Sequence, residues 1–536
     1  MVAYRNTALI LLIAGAVACS DDGDSGATNS DADTGAATDA GADTGAMGGD
    51  DTAEEDTAPP PPAYPDPGDW EPNAGPGGPA VTFPEEMLFE NCAYLSGGPR
   101  DLTQHHNLVV MYDGYLLMPW APEYGIGGFT FFDISDPCEP EVVGSGMSET
   151  MRESHSIGFS NAMGGRWAVV NQLLAVFEGG IQFWDISDPT APEAVADLLI
   201  EGFVYPDAYA RVTLSVFWQA PYVYVAHADL GVAIVDASDP TAPEVVGTYV
   251  FDPVLRAGQI HAIGNLLIVT GAESPRVALL DISDPIAPQP IAGGDFLVTN
   301  DEGEAIEVYF SNTGGGYTYH APKEGGGGVI IYDISDPTNP TRAGSLRSEG
   351  NGGYVFVKDD MAFVGESSFA TLYDISDMDN IKEVDRFHLE GDLDTLTPIG
   401  NIAVVSVDDK ADPWQGSSVA PWRSEPDAEP PHVTWVWPAD GAEGLATTSR
   451  FGVTFNEMIS VKSAWDGSVR LYDADLGPQE GKVEGHISVQ ENVVNFWPVE
   501  PLQSGRSYTL EIPAGGIVDY NGNPIEDAFE ATFHVL

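Results

Sequence analysis

The chemically suggestive residues of this 536-residue chain are histidines and carboxylates that could share a cation. His105, His106, His155 and His261 are spread through its middle, with Glu304, Glu307 and Asp394 following. Imidazole with carboxylate is a donor set for a divalent metal, and a bound metal could activate water for a hydrolase or lyase. Their spacing matches no ligand motif, so ordinary polar rim residues are the competing reading. A second candidate is Asp519-x-Asn521-x-Asn523, whose alternating oxygens suit a calcium loop. It lacks the later Glu of an EF-hand, and a β-turn with Gly522 at positive φ accounts for the same residues. Gly-x-Ser-x-Gly, His-Glu-x-x-His, phosphate-loop and Cys-x-x-Cys patterns do not occur. With 83 acids in the chain, a pair of carboxylates says nothing specific about glycoside hydrolysis.

Those acids face only 20 bases, a formal charge of −63. Such a field repels nucleic acid and anionic headgroups, so neither is an expected partner; cations and basic partners are attracted. From Ser20 to Pro79 the sequence is mostly Asp, Ala, Gly, Thr and Pro without one Lys or Arg. Few large apolar residues and one sign of charge predict a disordered tether, with a stiffer stretch at Pro59–Pro62.

The elements that would position the candidate residues come from a repeat. Six times an apolar run leads into Asp-x-Ser-Asp, at Asp133, Asp185, Asp236, Asp281, Asp333 and Asp374, at intervals of 52, 51, 45, 52 and 41 residues. Pro follows in five copies; Met378 replaces it in the sixth. The flanking runs, such as Tyr222-Val223-Tyr224-Val225-Ala226 and Gly231-Val232-Ala233-Ile234-Val235, are β-branched and aromatic, with turn signals between them. Three or four strands in such a unit match a propeller blade. The carboxylate of the first Asp can close an Asx turn at the corner between the third and fourth strands; metal binding by the paired Asp residues is the rival reading. Asn401–Val407 repeats the second-strand pattern without a following motif. It points to a seventh blade, six remaining the alternative, with Ala80–Leu95 closing the ring. Inner strands line the channel of a propeller, so the histidines and acids could meet at its mouth.

The repeat resembles the LVIVD repeat of bacterial and archaeal surface proteins over about Asp101–Pro413. That resemblance implies a propeller and a binding or scaffolding role, with no catalytic residues to carry over. Farther on, Pro438-Ala439-Asp440-Gly441-Ala442, Phe451-Gly452-Val453-Thr454-Phe455, Tyr508-Thr509-Leu510, Val518-Asp519 and Ala531-Thr532-Phe533 resemble the bacterial Ig-like domain of surface-layer proteins, a β-sandwich that usually serves as spacer or adhesive unit.

Near the start, Arg5 precedes the apolar run Ala8–Ala18, which is too short to span a bilayer. Ala16-Val17-Ala18-Cys19 is similar to a bacterial lipobox, with Ala16 where Leu is commoner, and implies lipidation of Cys19. Secretory cleavage after Ala18 is the other reading. Cys92 and Cys138 then offer one disulfide in an oxidising compartment.

The expected organisation is a signal peptide (1–18), tether (19–79), all-β propeller (80–425), linker (426–431) and Ig-like β-sandwich (432–536). The expected function is a surface-displayed, lipid-anchored binding or scaffolding protein for a protein or glycan, with no cofactor other than the candidate calcium. The alternative is a metal-dependent hydrolase or lyase at the channel mouth. Trp120, Trp218, Trp414 and Trp422 are candidate contacts where exposed, core packing being their other role.

Overall fold

A computed structural model describes residues 64–97, 106, 108–121, 126–151, 154–160, 167–175, 178–202, 214–323, 325–410 and 415–536. The expected signal peptide and lipobox with Cys19, the expected tether up to residue 63, His105 and Trp414 lie outside them. Among the described residues no helix is long and apolar enough to cross a membrane.

The repeat units fold as antiparallel four-stranded blades. Blade 1 comprises Val110–Tyr112, Tyr115–Trp120, Gly127–Asp133 and Glu141–Ser148. Blades 2 to 6 follow over 158–199, 216–249, 257–297, 308–347 and 355–387. Inner strands are buried at almost every position, as in Ala257–Ile263, while outer strands such as Glu244–Tyr249 are largely exposed. Aromatic pairs bridge neighbouring blades: Phe129–Trp184 (4.9 Å), Phe183–Trp218 (5.4 Å), Phe296–Tyr332 (4.9 Å) and Phe363–Trp422 (5.3 Å). Such rings supply most of the buried area between sheets.

The corner motif acts as a turn. In all six copies the Ser backbone N–H donates to the first Asp Oδ1, at 2.7–3.0 Å. The second Asp repeats the device two residues on, as where Thr241 N donates to Asp239 Oδ1 at 2.9 Å. These carboxylates are thus occupied by their own backbone, and the third strand ends where each turn begins.

A seventh blade is present. Asp392–Ile399, Ile402–Asp409 and Ser417–Pro421 supply three strands, and Ala93–Leu95 pairs antiparallel with Ser417–Val419 as the fourth. The chain's early segment therefore closes the ring and covers edges that would otherwise be open. Cys92 is bonded to Cys138, which ties this strand to the corner of blade 1.

Residues 433–534 form a sandwich of two four-stranded sheets, the first containing Val433–Trp437, Phe451–Phe455, Gly485–Gln490 and Val493–Pro498. The sandwich is more than a spacer, because it lies across one face of the ring. Val489 bridges Phe159 of blade 2, joining its sheet to that blade. Its polar residues meet the turns between first and second strands elsewhere. Asn495 Oδ1 accepts from Gln219 Nε2 and Gly264 N (blades 3 and 4), Thr454 Oγ1 from Gly315 N (blade 5), and Asn456 O from Asp359 N (blade 6). Lys462 pairs with Asp113 in blade 1. At Gly400 in blade 7 a Cβ would fall 2.5 Å from Asn521 Oδ1, an approach only glycine permits.

One expected boundary changes. The tether was expected to reach Pro79, but Tyr64–Pro79 is packed against the sandwich and blade 1. Tyr64 OH donates to Leu471 O, while Pro65, Pro67, Pro72 and Pro79 carbonyls accept from Arg470, Trp465, Lys462 and Asn521. Extended proline-rich chain leaves its carbonyls free to accept bonds from such donors. The linker at 426–431 is likewise anchored, since the Asp427 side chain is fully buried in an ion pair.

Candidate functional site

The expected channel histidines face different neighbours, and neither ring nitrogen of His261 has a hydrogen-bond partner among the described residues. His106 Nδ1 lies 2.8 Å from Ser417 Oγ. His155 reaches residues of distant blades: its Nδ1 is 2.5 Å from Tyr354 OH and its ring stacks on Phe310 at 5.0 Å, so blades 2, 5 and 6 meet there. His261 Nε2 is 3.9 Å from Glu491 Oε2, at the tip of a hairpin of the sandwich that enters the capped mouth. Asn312 Nδ2 donates to the same oxygen at 2.9 Å. Glu304 is exposed and caps a local turn through Asn300, whereas Asp394 is buried in the inner strand of blade 7. Among the described residues these groups make no shared metal cluster. Strand register is the reason: His155 precedes its inner strand, while His261 lies late in its own, so the two sit at different depths.

Burial holds the unexpected histidines neutral. His320 is pushed down to about 3 by burial and then by His261, and His227 to about 4 by burial.

The expected calcium loop is a turn. Asp519 Oδ1 accepts from Asn521 N (2.9 Å) and Asn523 N (2.8 Å), and its Oδ2 from Asn523 Nδ2 (2.8 Å). Asn521 Nδ2 donates to Pro79 O and Asn523 Nδ2 also to Asp427 O. The amides face their neighbours as donors, so three ligand oxygens do not converge.

The sequence reading missed the cluster beside it. Asp427, Glu457 and Asp519 bring buried carboxylates within 4.8 Å of one another, a distance suited to a metal. An ammonium already takes the cation's place: Lys358 Nζ is 2.6 Å from Asp427 Oδ2 and bonded to Glu457 Oε2, and Arg423 NH2 is 2.6 Å from Asp427 Oδ1. Burial pushes Glu457 up to about 8, against the pull of Lys358, and raises Asp519. For Asp427 the burial penalty is outweighed by Lys358 and Arg423, and its carboxyl is held below the usual range. The arrangement is an ion lock between blade 6, the linker and the sandwich.

Next to this lock a cleft of about 390 Å³ opens between blades 5 and 6 and the sandwich. Tyr317 and Tyr319 form one wall, Val357, Met378 and Phe455 its apolar parts, and Asp359, Asp360, Glu429, His432, Asn456 and Asn492 its polar ones. The two-residue turns that frame it, Gly315-Gly316 and Asp359-Asp360, have φ of +62°, +79° and, at Asp359, +54°. These are hairpin turns for which Gly and Asp are suited. The candidate tryptophans lie elsewhere: Trp120 and Trp218 are buried, and Trp422 is half-buried with its indole N–H on Gly400 O.

Residues 215–250 and 306–347, in blades 3 and 5, match the model of the LVIVD repeat. Residues 427–535 match the model of the bacterial Ig-like domain. The chain carries LVIVD repeats and a bacterial Ig-like domain. The repeat model covers two of the seven blades, and the Ig-like match begins at the Asp427 of the ion lock. No curated protein matches the chain. Solved structures similar to it include a protein from Lactobacillus plantarum (12% identity, 56% of this chain and 92% of that one, TM-score 0.43). RRP9 WD40 repeats align at 11% identity over 60% of this chain and 94% of that one, TM-score 0.43. The Cps50 (Swd1) β-propeller domain from Myceliophteria thermophila aligns at 9% identity over 59% and 96%, TM-score 0.43.

Proposed function

We propose that this LVIVD-repeat protein is an exported, lipid-anchored binding or scaffolding protein displayed at the outer membrane or cell surface, without catalytic activity. Its ligand is a protein or a glycan. The observation that carries this reading is the docking of the Ig-like domain on every blade. It turns ring, cap and the Tyr64–Pro79 strap into one stiff body, suited to presenting a surface rather than moving around a substrate. A metal hydrolase at the channel would need ligands that converge there, whereas His106, His155 and His261 each face a different group.

Lipid anchoring follows from Ala16-Val17-Ala18-Cys19, and Ser20 lacks the acidic residue that retains some lipoproteins on the inner membrane. Cys19→Ala is expected to release the protein from the membrane fraction or block its maturation, because the acyl chains are its hydrophobic anchor. Fractionation with labelled fatty acid checks this. A processed variant still held in membranes refutes the anchor, and a stoichiometric transition metal in the purified chain refutes the non-catalytic reading.

A further inference from the structure

We infer that the cleft between blades 5 and 6 and the Ig-like cap receives a basic side chain, the alkylammonium of Lys or the guanidinium of Arg, presented by a partner protein. This rests on the binding role proposed above and gives one contact its chemistry.

Acceptors crowd the cleft, and its two side-chain amide donors are spent. Asn456 Nδ2 donates to Asp359 Oδ1 at 2.6 Å, and Asn492 Nδ2 to Thr313 O and Phe455 O at 3.1 Å each. Asn492 Oδ1, on a residue only 4% exposed, has no hydrogen-bond partner. The Asp360 and Glu429 side chains are exposed, without ion-pair or hydrogen-bond partners among the described residues. A buried acceptor left unpaired is costly, so a group that completes this site brings hydrogen-bond donors.

Charge and shape agree with that requirement. Three carboxylates and no Lys or Arg line the cleft; Lys358, turned toward the ion lock, also reaches Asp359 at 3.7 Å, so Asp360 and Glu429 carry the unpaired charge. The Tyr317 and Tyr319 rings lie 6.4 Å apart and tilted, a wall over which a cation is attracted while its methylene stem lies along Val357 and Met378. An anion would be repelled here, and a neutral glycan would desolvate Asp360 and Glu429 without pairing them. The net charge of −63 draws a basic partner toward the molecule from a distance.

The test uses the purified full chain and the peptide acetyl-Gly-Lys-Gly-amide, followed by NMR titration of the lysine ε-carbon at low and physiological salt. The lysine peptide is expected to bind, and its norleucine counterpart to bind at least tenfold more weakly. Asp360→Asn and Glu429→Gln each weaken the lysine peptide by about fivefold, as expected for a partly screened ion pair. Both positions are exposed, and an unchanged thermal midpoint verifies folding. Each variant removes one of 63 net charges, so a merely non-specific field predicts almost no change. Equal binding of the norleucine peptide, or indifference to both substitutions, overturns the inference. So does tighter binding of n-butylammonium than of the peptide, which would make the ligand a free amine. A surface partner captured equally by the parent and by both variants refutes the cleft alone and leaves the binding role standing.

Discussion

Lys358→Met tests the ion lock that holds the Ig-like cap to blade 6. The ammonium is 4% exposed and the Asp427 and Glu457 side chains 0% and 5%, so little water can screen the loss. Removing one partner of a buried pair costs about 3–5 kcal/mol. The lower end applies at pH 7, because Asp427 keeps Arg423 and Glu457, pushed up to about 8, is mostly neutral already. Above pH 8 Glu457 ionises in the parent with Lys358 beside it. In the variant it must ionise alone or stay protonated, and the penalty grows by on the order of 1 kcal/mol per pH unit. In the parent, the folded pKa of this acid exceeds its unfolded value near 4.5, so the folded state binds the extra proton between those limits. Stability therefore falls as pH rises from about 4.5 through about 8, and Glu457→Gln flattens that fall. Urea unfolding followed by tryptophan fluorescence at pH 6, 7 and 9 measures all three chains. The reasoning fails where Lys358→Met lies within about 1 kcal/mol of the parent at pH 7, or where Glu457→Gln is the more damaging change.

Asp236→Ala is expected to cost only about 0.5–1 kcal/mol, since its bonds to Ser238 are exposed, and the cost should be the same with or without a calcium chelator; a chelator-dependent melting shift abolished by the substitution would restore the metal reading. Breaking the Cys92–Cys138 bond by double substitution with Ser should cost about 4 kcal/mol for a loop of 46 residues, read from urea midpoints. A chain beginning at Gly98 should lose more, because it also removes the closing strand Ala93–Leu95 and the Tyr64–Pro79 strap; equal stability of that chain would contradict ring closure.

The propeller was legible because its repeat carries a local device. Asp-x-Ser-Asp ends a strand wherever it occurs in the repeat, so six corners could be counted, and a strand pattern left over at Asn401–Val407 pointed to a seventh blade. The cap could not be read in the same way. Gln490, Glu491, Asn492 and Asn495 bond to backbone and side chains of blades 3 to 5, but polar residues on a hairpin look alike whether they face water or another domain. The depth of the channel histidines was hidden for a related reason: blade membership follows from the repeat, whereas depth along the axis depends on where each inner strand starts. The strap did leave a trace. Tyr64 and Trp70 are the only aromatic residues between Ser20 and Pro79, and Tyr64 is packed against the sandwich.

The scarcity of bases explains where they stand. With 83 acids, every seam between segments brings like charges together, and a screened surface cation cannot relieve a buried contact. Several of the 20 bases are accordingly buried at seams. Lys358 joins blade 6 to linker and cap; Lys462 joins the cap to Asp113 of blade 1 and to Pro72 of the strap. Arg450, fully buried, donates to Ile282 O of blade 4 and lies 5.8 Å from the Tyr222 ring and 5.5 Å from the Trp497 ring. Arg470 holds Pro65 while facing Tyr64. Cations shielded from solvent in this way are insensitive to salt, whereas repulsion among the exposed acids is screened by it. The assembled body should therefore gain stability as ionic strength rises, which is the opposite of what a molecule held together by surface ion pairs would do.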